Sequence, residues 1–192
     1  MSTSNDKIVL QTPIARTRYS HLSKPDTKWN SEGEYKTELV LDKATDETKA
    51  FVKSIEDAAR SYYGPDAAKA QLPLKTDAET GELIFKAKSS FKPKFVDSDG
   101  VLLREANIPN IFSGSEIRMF VTLKPTAAQG KIYVSSYIQA VQLIKVVEST
   151  VTESLGFDAV EDGFKARPDL GGSNDLQPGD AGARDLASSF LD

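Results

Sequence analysis

The sequence predicts a mainly β protein: a barrel of five strands with one helix over residues 1–150, then a flexible acidic tail over 151–192. Three observations lead there. Most apolar residues before residue 148 recur at the period of two that an extended strand imposes, whereas one segment alone switches to helical spacing. After Ser149 the apolar rhythm stops, and Pro168, Gly171, Gly172, Pro178, Gly179 and Gly182 dominate a stretch that cannot bury a core.

The first strand signal spans Lys7 to Leu22, with Ile8-Val9-Leu10 at its head and Pro13 interrupting the ladder. Ser23 to Gly33 reads as a surface loop carrying the one tryptophan, Trp29. Tyr35, Thr37, Leu39 and Leu41 alternate with polar neighbours as a second strand. Thr45 can cap the helix that follows: Asp46 and Glu47 suit its positive end, Phe51, Ile55, Ala58, Ala59 and Tyr62 form its apolar stripe, and Gly64-Pro65 stops it. Residues 66–76 read as a short helical turn ending before Pro73, and Asp77 to Glu82 as a turn.

Leu83 to Phe95 reads as one strand. Its alternation puts Ile84, Lys86, Lys88, Ser90, Lys92 and Lys94 on one face and Leu83, Phe85, Ala87, Ser89, Phe91 and Phe95 on the other. The lysine face can track a phosphate backbone, although a half-solvated strand that discourages edge pairing would look the same. Asp97 to Gly100 reads as a hairpin turn; the further ligands of a calcium loop are missing. Ile117, Met119, Val121 and Leu123 face inward on the next strand, and Pro125 to Gly130 turns the chain. From Lys131 to Glu148 runs a long bent strand, with Tyr133, Ser135, Tyr137, Gln139, Val141, Leu143 and Val147 opposed to Ile132, Val134, Ile138, Ile144 and Val146. Tyr133 and Tyr137 stand about 13 Å apart on one face, far enough to serve separate bases.

Charge divides the chain in the same place. The net charge is −4, yet residues 1–148 carry 21 Lys and Arg against 19 Asp and Glu, whereas residues 149–192 carry 3 against 9. A near-neutral body with a basic face suits a polyanion better than the total suggests. With no cysteine there is no disulfide framework, thiolate metal site or cysteine nucleophile. The single histidine, His21, has no carboxylate pair at ligand spacing, and reads as solvated or loop-packing. No phosphate-cradling glycine loop, nucleophile elbow or dinucleotide fingerprint occurs. The expectation is a non-enzymatic protein without cofactor or metal. No apolar run reaches the roughly 20 residues that span a bilayer, and residues 1–7 lack a secretory pattern, so a cytoplasmic location is expected.

The order strand, strand, helix, then three strands suits a five-stranded OB-type barrel. Several motifs point further: Tyr19-Ser-His-Leu-Ser-Lys-Pro25, Gly33-Glu-Tyr-Lys36 with Leu39, Ser89-Ser-Phe-Lys92, and Val96-Asp-Ser-Asp-Gly100. Gly114-Ser115 opens a strand ending in Leu123-Lys-Pro125, and Gln139-Ala-Val-Gln-Leu143 precedes Gly156-Phe-Asp158 and Asp162-Gly-Phe164. Over roughly residues 10–165 the chain resembles the phage-encoded single-stranded DNA-binding proteins of the T7-like replication type and their wider relatives. The resemblance implies an OB fold, binding of single-stranded DNA with little sequence preference, and a role in phage DNA replication or recombination in the host cytoplasm. It also implies an acidic tail that recruits replication proteins (polymerase, helicase or primase) and competes with DNA; a homodimer is compatible with it. Here the chain ends in scattered acids and Phe190, Leu191 and Asp192, not in a dense acidic run closed by an aromatic residue.

The DNA-binding candidates are Arg16, Arg18, Lys36, Lys86, Lys88, Lys92, Lys94 and Lys131 for phosphates, and Tyr19, Trp29, Phe91, Tyr133 and Tyr137 for stacking. Phe190, Leu191 and Asp192 are the candidate partner-binding end of the tail. Each aromatic could equally serve the barrel core. Two rival readings remain: a β-rich phage structural or adaptor protein without DNA binding, and a strand-annealing recombination protein.

Overall fold

The computed structural model describes residues 7–147 except Trp29. The expected tail over 151–192, with Phe190, Leu191 and Asp192, and the Trp29 stacking candidate lie outside the described residues.

Among the described residues eight strands and one α-helix form in chain order: β1 (Ile8–Gln11), β2 (Ala15–Asp26), β3 (Glu34–Leu41), α1 (Asp46–Tyr63), β4 (Leu74–Thr76), β5 (Leu83–Ser89), β6 (Lys94–Val96), β7 (Glu116–Ala128) and β8 (Lys131–Lys145). Five of them close a ring. β3 pairs antiparallel with β2 and β5, β8 with β7, and β7 returns to β2 through Ala15↔Ile117 and Arg16↔Glu116. The ring closes at one parallel register pair between β5 and β8, Lys88↔Tyr137. β1, β4 and β6 are added to β7, β5 and β8 respectively. This is the expected five-stranded OB-type barrel.

β7 follows the predicted alternation, with Ile117, Met119, Val121 and Leu123 all fully buried. α1 also matches: the Thr45 hydroxyl accepts the Thr48 N–H at 3.2 Å as an N-cap, and Gly64 ends the helix at φ +52°. Phe51 of α1 meets Phe85 of β5 edge to face, with ring centroids 5.0 Å apart. At its far end the Tyr63 hydroxyl accepts the Thr126 N–H (3.0 Å) and donates to the Tyr133 carbonyl (2.6 Å), tying the helix to the β7–β8 hairpin.

Four expectations need correction. The first strand is two, because the chain leaves the ladder at Thr12 to Ile14 around Pro13, and β2 then runs on to Asp26 through part of the expected loop. β7 likewise continues through Pro125 to Ala128, leaving a tight turn in which Gln129 (φ +50°) and Gly130 (φ +73°) both adopt the left-handed conformation of a two-residue hairpin. The strand expected over Leu83–Phe95 is broken. β5 ends at Ser89, whose hydroxyl accepts the Phe91 N–H (3.1 Å) and donates to the Phe91 carbonyl (2.7 Å); β6 starts only at Lys94. Phe91 is therefore not inward but 83% exposed in the turn, and four lysines do not share one face. Ile84, placed with those lysines by alternation, is buried.

The fourth correction is a change of face. On β8 the register slips between Phe120 and Val121 of β7, so that β8 holds one extra residue there. Before the slip Val134 and Ile138 face inward; after it Val141 and Leu143 join them, against strict alternation. β2 behaves alike: Ala15 and Thr17 are buried before a register shift between Arg18 and His21, and Leu22 after it.

Candidate nucleic-acid interface

A groove of about 700 Å³ opens on the outer face of β3 and β5, bounded by β2, the residues after it and the edge of β8. Tyr19, His21, Lys28, Lys36, Lys86, Lys88 and Tyr133 line it together with Asp26, Glu34 and Glu38. Its base exists because β5 and β8 scarcely pair directly. Gln71 to Pro73 fill the gap: the Gln71 N–H donates to the Ile132 carbonyl, the Val134 N–H to the Gln71 carbonyl (2.9 Å each), and the Lys86 N–H to the Pro73 carbonyl (2.8 Å). The Ser136 hydroxyl donates to the Lys86 carbonyl across the same gap.

Tyr19 is aimed by the β2 bulge. Its backbone sits at φ +51°, a conformation that tyrosine rarely adopts and that persists only where neighbours hold it. The holders are local. Thr17 exchanges hydrogen bonds with the 112–115 loop: its N–H donates to the Ser115 carbonyl (2.8 Å), its hydroxyl to the Phe112 carbonyl (3.0 Å), and its carbonyl accepts the Gly114 N–H (2.8 Å). The Tyr19 N–H donates to the Ser113 hydroxyl at 3.1 Å. The ring stands 62% exposed beside the groove, with the Arg18 guanidinium 5.1 Å from its centroid.

The lysines are not bare. Register sets Lys36 of β3 between His21 of β2 and Lys88 of β5, and Glu38 between Arg18 and Lys86. Like charges directly opposite would repel, and the neighbouring row relieves them. Lys36 reaches Asp26 (2.6 Å), Lys88 reaches Glu34 (2.9 Å) and Lys86 reaches Glu38 (2.8 Å). Lys36, then the Lys28 N–H, holds the Asp26 carboxyl below its ordinary range. Arg18 donates to Asp77 at 3.0 Å, and the backbone N–H groups of Thr80 and Glu79, followed by that guanidinium, bring Asp77 down to about 2.

Of the residues named from the sequence, the structure brings Tyr19, Lys36, Lys86, Lys88 and Tyr133 to one groove, with Arg18 behind Tyr19. It does not bring the other described candidates there. Arg16 lies in a separate depression with Leu41, Gly81 and Glu116. Lys92 is engaged with Glu105 at 2.5 Å, Lys131 is exposed after the hairpin turn, and Phe91 points to solvent in the 90–93 turn. Lys94 and Tyr137 belong to the outer faces of β6 and β8. His21, Lys28 and the acidic row Asp26, Glu34 and Glu38 were missed by sequence reasoning. The Glu34-x-Lys36-x-Glu38 alternation carried the signal, but only register reveals its partners.

Comparison with solved structures places this barrel. The protein described as gp2.5, a single-stranded DNA binding protein encoded by bacteriophage T7, aligns with a TM-score of 0.60 at 19% identity, over 76% of this chain and 96% of that one. The single-stranded DNA-binding protein from bacteriophage Enc34, in complex with ssDNA, aligns at 0.59 and 18% identity, over 77% and 95%. Its C-terminal truncation aligns at 0.58 and 18%, over 73% and 87%. The barrel shares its fold with phage single-stranded DNA-binding proteins. No protein-family model and no curated protein matches the sequence. Among the described residues no group of three His, Asp or Glu side chains is placed to hold a metal ion, and no helix is long and apolar enough to cross a membrane.

Proposed function

We propose that this chain binds single-stranded DNA with little sequence preference, as a non-enzymatic component of phage DNA replication or recombination. The observation that carries the reading is the groove itself: an exposed tyrosine held in a left-handed conformation beside Lys36, Lys86, Lys88 and Tyr133, on the barrel face where OB folds take oligonucleotides. Lysines meet phosphates whatever the sequence, and every base offers a face for stacking. The fold shared with a protein solved in complex with ssDNA supports the same reading.

The test is a titration with a labelled oligothymidine, followed by polarisation across a salt series, with a duplex of equal length alongside. Binding of the single strand that weakens steeply with salt is expected; no binding at low salt, or equal binding of the duplex, overturns the reading. Replacing Lys86 and Lys88 together by alanine should weaken all sequences alike and flatten the salt slope, by up to about 0.7 per lost phosphate contact. The adaptor reading predicts no DNA binding. Strand annealing is scored separately by the pairing rate of complementary strands.

A further inference from the structure

A second basic and aromatic surface lies next to the groove. Across the outer face of the barrel, register aligns His21, Lys36 and Lys88 with Tyr137 of β8, and Tyr137 with Thr122 of β7. The Lys124 ammonium sits 5.3 Å from the centre of the Tyr137 ring. One outward pair further along β7, Phe120 is 48% exposed, opposite Ala140, which is in turn opposite Lys94 of β6. Beyond Phe120 on the same face, Arg118 is fixed by two hydrogen bonds to the Gln142 side-chain oxygen (3.1 and 2.8 Å), and that amide donates to the Ser98 carbonyl at 2.9 Å. Lys94, Lys124 and Arg118 have no carboxylate partner among the described residues, unlike Lys36, Lys86 and Lys88 of the groove.

We infer that single-stranded DNA leaving the groove past Lys88 continues across β8 onto β7, where Tyr137 and Phe120 each take a base and Lys124, Lys94 and Arg118 take phosphates. The inference rests on the single-stranded DNA reading of the groove. Geometry makes the path continuous: three inter-strand steps, roughly 14 Å, lead from Lys36 on β3 through Lys88 and Tyr137 to β7 at the buried Thr122, and Phe120 stands two residues, roughly 7 Å, further along β7. Charge selects the occupant. Three uncompensated cations around two outward rings suit a flexible polyanion with stackable faces better than an apolar protein surface.

The test uses the full chain and two oligothymidines, of roughly 6 and roughly 16 nucleotides, within the range of site sizes for one OB domain. Phe120→Ala and the double variant Lys94→Ala/Lys124→Ala should leave the short oligomer's affinity at the parent value while weakening the longer one about fivefold or more, the low end of one lost stacked base. Phe120→Trp should add fluorescence quenched by the longer oligomer and not by the shorter. Thermal melting that matches the parent confirms that these exposed positions leave the fold intact. Parent-like binding of the longer oligomer by both alanine variants overturns the extended path. So does a Phe120→Ala change that shifts only the sedimenting mass, because the face is then an interface between copies. If the parent binds neither oligomer the groove reading itself falls, a result distinct from a length-independent Phe120 variant.

Discussion

The groove and the outer face of β7–β8 carry similar residue types, lysine beside an exposed aromatic ring, but differ in what neutralises the lysine. In the groove Lys36, Lys86 and Lys88 each lie within 2.9 Å of a carboxylate. Across β7–β8, Lys124 faces only the Tyr137 ring and Lys94 has no acidic partner among the described residues. A phosphate entering the groove must displace Asp26, Glu34 or Glu38, so binding there is an exchange of ion pairs; on β7–β8 it is a plain gain with counterion release. On the proposed reading the groove would draw its selectivity from its shape and from Tyr19, whereas the outer face should contribute more salt dependence per cation.

The largest effect should come from Tyr19. Its replacement by alanine removes the ring that the bulge aims at the groove, and one lost stacked base costs about 1–3 kcal/mol of binding. Polarisation titration reads this as a fall of roughly 5- to 150-fold in affinity, with the salt slope unchanged because no charge is lost. Tyr19→Gly should bind as poorly while melting no lower than the alanine variant, since glycine accepts φ +51° without strain. An unchanged affinity would move the stacking to Tyr133 or to the β7–β8 face.

A smaller effect, of opposite sign, should follow from neutralising the acidic row. Exposed ion pairs are worth about 0.2–1 kcal/mol, so Glu34→Gln and Glu38→Gln should each tighten DNA binding up to about fivefold and steepen its salt dependence. Glu34 and Glu38 pair with Lys88 and Lys86 and not with Lys94 or Lys124, so the long-oligomer increment should persist. If the glutamine variants instead bind more weakly, the carboxylates serve to position the lysines, and the contrast between the two faces collapses.

The sequence read well where one period held over a whole element. β7 buries Ile117, Met119, Val121 and Leu123 as the alternation requires, with Thr122 buried beside them, α1 carries its Thr45 cap and apolar stripe, and the ring follows the expected order of elements. It failed where one residue was inserted. The bulges in β2 and β8 return Leu22, Val141 and Leu143 to the core, and nothing in the local alternation marks the slip, because a bulge is set by the partner strand. The Ser89 turn had a local cause in Pro93, but the lysine rhythm across it masked the break. The groove was half legible for a related reason. Lysines on β5 are visible in the sequence, whereas Glu38 between Arg18 and Lys86 is a product of register among three strands.

The smallest expected effect concerns the support behind Tyr19. Asp77 accepts the Thr80 and Glu79 N–H groups and the Arg18 guanidinium, and its pKa lies near 2 in the fold against 3.8 ordinarily. A carboxylate whose pKa is depressed by folding stabilises the fold above its unfolded value and loses that contribution as pH falls through its folded one. Melting temperature should therefore decline between about pH 4 and about pH 2 in part through this group. Asp77→Asn should melt lower at neutral pH yet show a shallower decline over that window. The same variant removes the shortest of the Arg18 ion pairs and leaves Glu38 at 3.7 Å and Glu82 at 3.9 Å, so the guanidinium, 5.1 Å from the Tyr19 ring centroid, becomes more available to a phosphate at the groove edge. DNA affinity at neutral pH should then hold or rise slightly although stability falls. A parallel loss of both would show that the Arg18–Asp77 bond is needed to set Tyr19, and would extend the compensated network from a modulator of charge to a positioning device for the ring.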